Sequence, residues 1–266
     1  MEEPTGGDAL AAPDPYDVMA YYYDLFARAD AAGHQTSPNA DAFAGPARAG
    51  DVVLDFGSGT GTLALRLAEL GCTVHCFEPS RGMRAVHLAK LSARPELATR
   101  TVLLPAGATG LPSGVDYALC AGVLQCLDGP DRRKLFADLA GAVRPGGLLA
   151  LDMLTDGRPS TWELRTAAET TVAGVEYRLR TSSEALSDST MRRRAEYTAS
   201  LDGRIVHQET VSRVLFTVPR PAVHRELAEA GFALLDPPPG VPEDFALARR
   251  SGGPGAVDRP PTGAAR

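Results

Sequence analysis

The stretch LDFGSGTG (54–61) decides the fold. It closes a short apolar run, 51–57, and opens a segment whose Leu63, Leu67 and Leu70 recur at helical spacing before Gly71 stops it. A strand, a glycine-rich turn and an amphipathic helix thus follow one another. Working outward, 73–78 reads as a second strand and 83–92 as a second helix. A third strand is expected at 101–105 and a fourth at 115–122. The segment 130–143 is helical and meets a strong stop, Arg144-Pro145-Gly146-Gly147, before a fifth strand at 148–154. Apolar strands that alternate with helices predict an α/β fold, a doubly wound, mostly parallel sheet covered on both faces.

After residue 154 the pattern changes. Segments 170–182, 190–201 and 204–217 are long and rich in Thr, Val, Tyr and Arg, and two of them meet at Asp202-Gly203, a hairpin signal. They predict a three-stranded antiparallel meander inserted after strand 5, either a sheet with one solvated face or a wall over the ligand site. A helix at 221–231 and strands at 232–236 and 245–250 return to the first pattern. The expected organisation is a ligand-binding domain over 15–154 and 219–250, an insert over 155–218, and disordered tails at 1–14 and 251–266.

The 266 residues carry 33 acidic and 27 basic side chains, a formal net charge of −6, and arginine supplies all of the basic ones except Lys90 and Lys134. An acidic chain without a block of like charge argues against nucleic acid as a partner. The chain lacks an apolar run long enough for a bilayer, and its acidic start, MEEPTGGD, is unlike a signal peptide, so no membrane association and a cytoplasmic location are expected. Cys72, Cys76, Cys120 and Cys126 contain no CxxC pair and read as reduced core thiols. Metal ligation is not expected.

The chemistry sits in the turn. Glycines there let backbone approach a ligand, and the following helix offers unpaired N–H donors. Gly57 and Gly59 fit the dinucleotide pattern GxGxxG, but Thr62 stands where its third glycine belongs, and the spacing is GxGxG with Gly61. Asp55 occupies a strand position that is usually apolar, and a buried carboxylate requires a cationic or hydrogen-bonding partner. Glu78, at the end of the second strand, can accept both hydroxyls of a ribose diol. An amino acid joined to a nucleoside satisfies both carboxylates.

These residues resemble the class I S-adenosylmethionine-dependent methyltransferases. LDFGSGTG matches their first motif, FEPS (77–80) the acid closing strand 2, VDYALCAGVLQCL (115–127) strand 4 and VRPGGLLALDML (143–154) strand 5. AEAGF and the two strands after it match the closing antiparallel hairpin. The resemblance implies a Rossmann-like sheet of seven strands with S-adenosylmethionine as cofactor and S-adenosylhomocysteine as product. It assigns Asp55, Gly57, Ser58, Gly59 and Gly61 to the methionyl part and Glu78 to the ribose. Pro79, Ser80 and Met83 go to the adenine side, although Met83 also suits plain core, and Cys120 joins the cofactor contacts. Where many relatives place an Asp against adenine, this chain has Gly107, which leaves the N–H of Ala108 for that contact. Where many carry histidine after strand 4, it has Gln125 and Cys126, and Gln125 can orient a ligand but not take a proton.

The pattern YDxxAxxYDLF, Tyr16 through Phe26, resembles the cap of small-molecule methyltransferases, including N-methyltransferases of deoxyamino sugars and natural-product enzymes. That resemblance puts Tyr16 and Tyr23 over the cofactor, with Tyr16 also facing the acceptor. The alternative is an amphipathic helix that simply buries its aromatic face. Candidate proton handlers are Tyr16, Tyr23, His207 and His224, while His75 reads as core. Trp162 is either an acceptor wall or lid packing. Arg192, Arg193 and Arg194 alternate across a strand, so at most one face of that run meets an anion. The acceptor expected is a small molecule, with nitrogen first, then an electron-rich carbon such as an indole position, then oxygen. A protein that binds the cofactor without transferring methyl is the further alternative. Monomer and homodimer both remain open.

Overall fold

The computed structural model describes residues 14–27, 40–105, 110–152, 154–155, 158–236 and 241–252. Most of both expected tails, together with Gly107 and Ala108, lies outside the described residues.

Strands β1 (Val52–Phe56), β2 (Thr73–Phe77), β3 (Thr101–Leu104), β4 (Val115–Cys120) and β5 (Val143–Leu151) pair in parallel. The insert supplies β6 (Trp162–Val172), β7 (Val175–Ala185), β8 (Thr190–Leu201) and β9 (Arg204–Phe216). The chain then returns through β10 (Phe232–Leu235) and β11 (Ala246–Arg250), which join the first sheet antiparallel. The seven strands stand in the order β10-β11-β5-β4-β1-β2-β3. From β1 the chain moves to β2 and β3, then crosses back to β4 on the other side of β1. The crevice beyond the carboxyl ends of β1 and β4 is therefore the topological switch point, where ligands of such sheets bind.

The helices are α1 (Pro15–Ala27), α2 (Ala40–Ala44), α3 (Thr62–Glu69), α4 (Arg81–Ser92), α5 (Pro95–Ala98), α6 (Gly129–Ala142) and α7 (Arg220–Glu229). In α3 Leu67 is buried with Ala64 and Ala68, and Leu63 packs partly buried against the same core; of the expected Leu63–Leu67–Leu70 stripe only Leu70 departs. The helix ends one residue before it: Leu70 is the C-cap and is exposed, and Gly71 takes φ 92°.

The insert has four strands rather than three, in the order β6-β7-β8-β9. The expected segment 170–182 contains a turn at Ala173-Gly174, both with positive φ, so it comprises the end of one strand and most of the next. The insert leaves and re-enters the domain at one place, where Thr155 bridges Pro219 and the Thr155 N–H donates to Val218 at 2.9 Å.

Between the two sheets lies α1. Its Met19, Tyr22 and Phe26 are buried against Met83 of α4 on one side and Ala168, Ala195, Tyr197 and Val211 of the insert on the other. Tyr22 and Tyr197 stack with ring centroids 4.5 Å apart. Asp17 fixes the helix to α4 by accepting from Ser80 Oγ at 2.6 Å and the Gly82 N–H at 2.9 Å. A side chain at Gly82 would meet Asp17 backbone at 2.8 Å, so glycine permits this approach.

A buried ion pair closes the other flank. Arg132 of α6 donates to both oxygens of Glu226 of α7, at 2.6 and 2.9 Å. Removing one partner leaves an uncompensated buried charge, which costs about 3–5 kcal/mol. Glu226→Gln is expected to lower the melting temperature by roughly 10 °C in a thermal denaturation scan; an unchanged midpoint would show that the pair contributes nothing net.

Candidate functional site

The crevice at the switch point is built from backbone first. Gly57, Gly59 and Gly61 all have positive φ, at 78°, 55° and 81°. The N–H groups of Gly57 and Ser58 both donate to Phe77 O, and that of Gly61 donates to Ser58 O. The Gly59 N–H donates to Glu78 Oε2 at 2.8 Å. These four turn N–H groups hold the turn together. What the turn offers is shape. Nothing lies within 4 Å of a Cβ built on Gly59, which leaves its backbone facing open space, whereas Gly57 abuts Val123 and Gly61 abuts the His87 ring.

Three carboxylates converge on this space from the carboxyl ends of β1, β2 and β5. Asp55 is 1% exposed and its Oδ2 has no hydrogen-bond partner. Burial, with Glu78 adding its charge, pushes the Asp55 carboxyl up to about 7. Glu78 accepts the N–H groups of Gly59 and Ser80, each at 2.8 Å, so it organises both the turn and the start of α4. Burial raises the Glu78 carboxyl, opposed by those bonds and by Arg84. Asp152, just past β5, accepts the Gly122 N–H at 2.7 Å. Asp152 was missed from sequence, yet its signal is the one that exposed Asp55, an acid closing an apolar strand run.

The helix α1 covers the mouth. Asp24 accepts from Thr60 Oγ1 at 2.7 Å and pairs with Lys90 at 2.6 Å, pinning the helix to the glycine turn. Tyr16 and Tyr23 stand half-buried toward the crevice, and the Tyr16 hydroxyl meets Cys126 Sγ at 2.9 Å. Burial raises both phenols above their ordinary range. They remain protonated at neutral pH. Cys126 is half-buried beside Tyr16, so it is no core thiol, unlike the other three cysteines.

Other expected residues fall differently. Ser80 Oγ donates to Asp17 and accepts the Met83 N–H as the α4 N-cap. Met83 is buried in the α1 cluster, and Pro79, four residues earlier, is exposed. The Ser58 hydroxyl faces the Cys76 thiol. Cys120 is fully buried at the end of β4 near Asp55 and Asp152. Gln125 is half-buried in the short 3-10 turn Leu124–Cys126. His207 is exposed at the far end of β9, six residues from Arg213 and so about 20 Å along the strand; it lines a separate cavity of 620 Å³ with Tyr177 and Glu209. The structure does not bring it to the crevice, and that corrects its catalytic assignment. His224 is half-buried on α7, the helix packed against α6 and β10, and His75 is half-buried in β2.

The protein-family comparison matches a methyltransferase-domain model to residues 54–149, the segment from the glycine turn to β5. An uncharacterized methyltransferase of Geobacillus sp. (strain WCH70) is 41% identical over 78 residues, 29% of this chain and 35% of that one. The match thus spans about a third of that relative's length. Among solved structures, the SAM-bound amino pentose methyltransferase CalS10 of Micromonospora echinaspora superposes with a TM-score of 0.68 at 17% identity, covering 92% of this chain and 100% of that one. The sugar N-methyltransferase KedS8 of Streptoalloteichus sp. ATCC 53650 gives 0.67 at 20% identity, covering 95% and 98%. The chain has the class I methyltransferase fold, and both alignments cover nearly all of it, the four-stranded insert included. Among the described residues, no helix is long and apolar enough to cross a membrane.

Proposed function

We propose that this chain transfers a methyl group from S-adenosylmethionine to a nitrogen of a small-molecule acceptor in natural-product metabolism. One observation carries the cofactor assignment: Asp55, buried in the strand that leads into the glycine turn, has an oxygen without a partner. An α-ammonium group supplies the missing cation. Glu78 has lone pairs left for a ribose diol after its two backbone bonds. When bound, the cofactor supplies an electrophilic methyl on a sulfonium, so the protein's contribution is alignment and exclusion of water. The α1 cover fits that task.

The protonation states support nitrogen. A phenol or hydroxyl acceptor needs a base, whereas a neutral amine does not. Tyr16 and Tyr23 hold their protons, and His207 lies elsewhere. These phenols can orient an amine, and the partly desolvated pocket favours its neutral form. The amino-sugar methyltransferases that share the fold motivate the choice of acceptors. The test is incubation with methyl-labelled cofactor and a panel of amino sugars, amines and indoles, read by mass spectrometry. Label on nitrogen is expected. Label on carbon or oxygen would overturn the acceptor assignment, and tight binding with no S-adenosylhomocysteine from any acceptor would overturn transfer itself.

A further inference from the structure

The insert's inner face changes character along its length. Where α1 covers it, it is apolar. Beyond that cover, one straight row crosses all four strands: Trp162 pairs with Ser183, Ser183 with Arg193 and Arg193 with Arg213. Cross-strand partners point to the same side at strand spacing, about 4.8 Å apart. In this row the Trp162 Nε1, Ser183 Oγ and Arg213 Nε are all buried without a hydrogen-bond partner. Ser183 is 3% exposed and Arg213 8%. Buried donors are ordinarily satisfied, so three in one row point to something that belongs between them.

The missing element is negative. Arg193 and Arg213 are direct cross-strand neighbours, which concentrates positive charge in the row. Arg193 and Arg165 lie over the Trp162 ring at 4.5 and 5.1 Å, which adds a third guanidinium. Among the described residues no carboxylate is ion-paired with Arg213; the first acid along that face of β9 is Glu209, four residues away. Arg192 and Arg194, on the opposite face, pair with Glu184 and Glu196. Burial and the neighbouring arginines lower Arg193 to about 10, as expected of crowded cations.

The row also reaches the crevice. The Arg213 guanidinium lies 4.9 Å over the Tyr16 ring, and Tyr16 touches Cys126 in the turn after β4. We propose that the row Trp162–Ser183–Arg193–Arg213 binds an oxyanion of the methyl acceptor, a carboxylate or a phosphate ester, and so holds the acceptor on the insert side of the methyl donor. This rests on the transferase reading above and narrows its acceptor to an acid-bearing molecule. Two guanidiniums, a hydroxyl and an indole N–H match an anion's several acceptor oxygens.

Trp162 is the only tryptophan in the chain, so its emission reports directly on the row. The full-length protein is titrated with succinate and, separately, with inorganic pyrophosphate, at constant ionic strength set with chloride. A saturable change in emission is expected with at least one of them; succinate alone identifies a carboxylate, and pyrophosphate alone a phosphate ester. In Arg213→Met and Arg193→Met the midpoint should rise at least tenfold. Where Arg213→Met does not fold, Arg193→Met and Ser183→Ala carry the test, Ser183→Ala with a smaller rise of at least threefold. Calorimetry with S-adenosylhomocysteine on Arg193→Met should give an affinity within twofold of wild type. No saturable change with either anion, or one that these substitutions leave unaltered, would overturn the proposal. Absence of S-adenosylhomocysteine binding to wild type would instead strike the transferase reading, and the anion titration would still report separately.

Discussion

Asp55→Asn is expected to stabilise the cofactor-free protein increasingly as pH rises, while weakening its cofactor binding. Folded and without cofactor, Asp55 keeps its proton up to about pH 7, whereas its ordinary value is 3.8. A raised folded value means that this group's contribution is fully present below the unfolded value and is lost as pH climbs to the folded one. The difference amounts to at most about 4 kcal/mol between pH 4 and pH 8. Asn cannot ionise, so it escapes that loss. Thermal unfolding of both proteins across this range should show the variant gaining on wild type until pH 7 and then running parallel. Curves parallel throughout would mean that the buried carboxylate ionises at its usual pH. S-adenosylhomocysteine should bind wild type more tightly as pH rises toward 7, because the ammonium requires the ionised carboxylate. In the variant that slope should vanish, with affinity lower by roughly 10- to 100-fold, the scale of a hydrogen bond between charged groups.

Gly61→Ala carries the second large effect. A Cβ there would sit 2.2 Å from His87 Cδ2 and 2.3 Å from Nε2. His87 is fully buried on α4, where burial lowers its pKa to about 4, so it is a neutral ring wedged beneath the turn. It cannot swing away without opening the core. The backbone φ of 81° adds strain for any side chain, about 1–2 kcal/mol, and overpacking of a filled site about 1–3 kcal/mol more. Denaturant unfolding should show the sum as a lowered midpoint. Adding His87→Ala should recover the overpacking part and leave the φ part, a coupling that a double-mutant cycle measures. If the double variant is no better than the two losses added, the His87 contact is not what excludes a side chain at Gly61.

Much of this site was legible before any coordinates. LDFGSGTG and FEPS placed Asp55, Glu78 and the turn because their information is local: a strand ends, glycines permit the turn, and a helix begins. Asp152 carried the same local signal. The acceptor side did not. Trp162, Ser183, Arg193 and Arg213 lie far apart in sequence, and what joins them is the register of three hairpins. That register depends on where each turn falls, and overlooking Ala173-Gly174 merged two strands and concealed the row. Tyr16 was legible as a cap residue, but its contact with Cys126 spans 110 positions. His87, seen as one more helix position, becomes decisive only when the turn lies on top of it.

The Thr155–Pro219 bridge has an architectural consequence. Both ends of the insert emerge side by side, so everything between them is a cassette plugged into a single socket. Its length and strand number can change without shifting the register of the seven-stranded sheet, since neither β5 nor the path into α7 has to move. The socket makes one demand on any replacement: an apolar patch like Ala168, Ala195, Tyr197 and Val211 on which α1 can lie. A graft that keeps this patch and varies the row beyond it would exchange one acceptor preference for another on an unaltered donor-binding chassis.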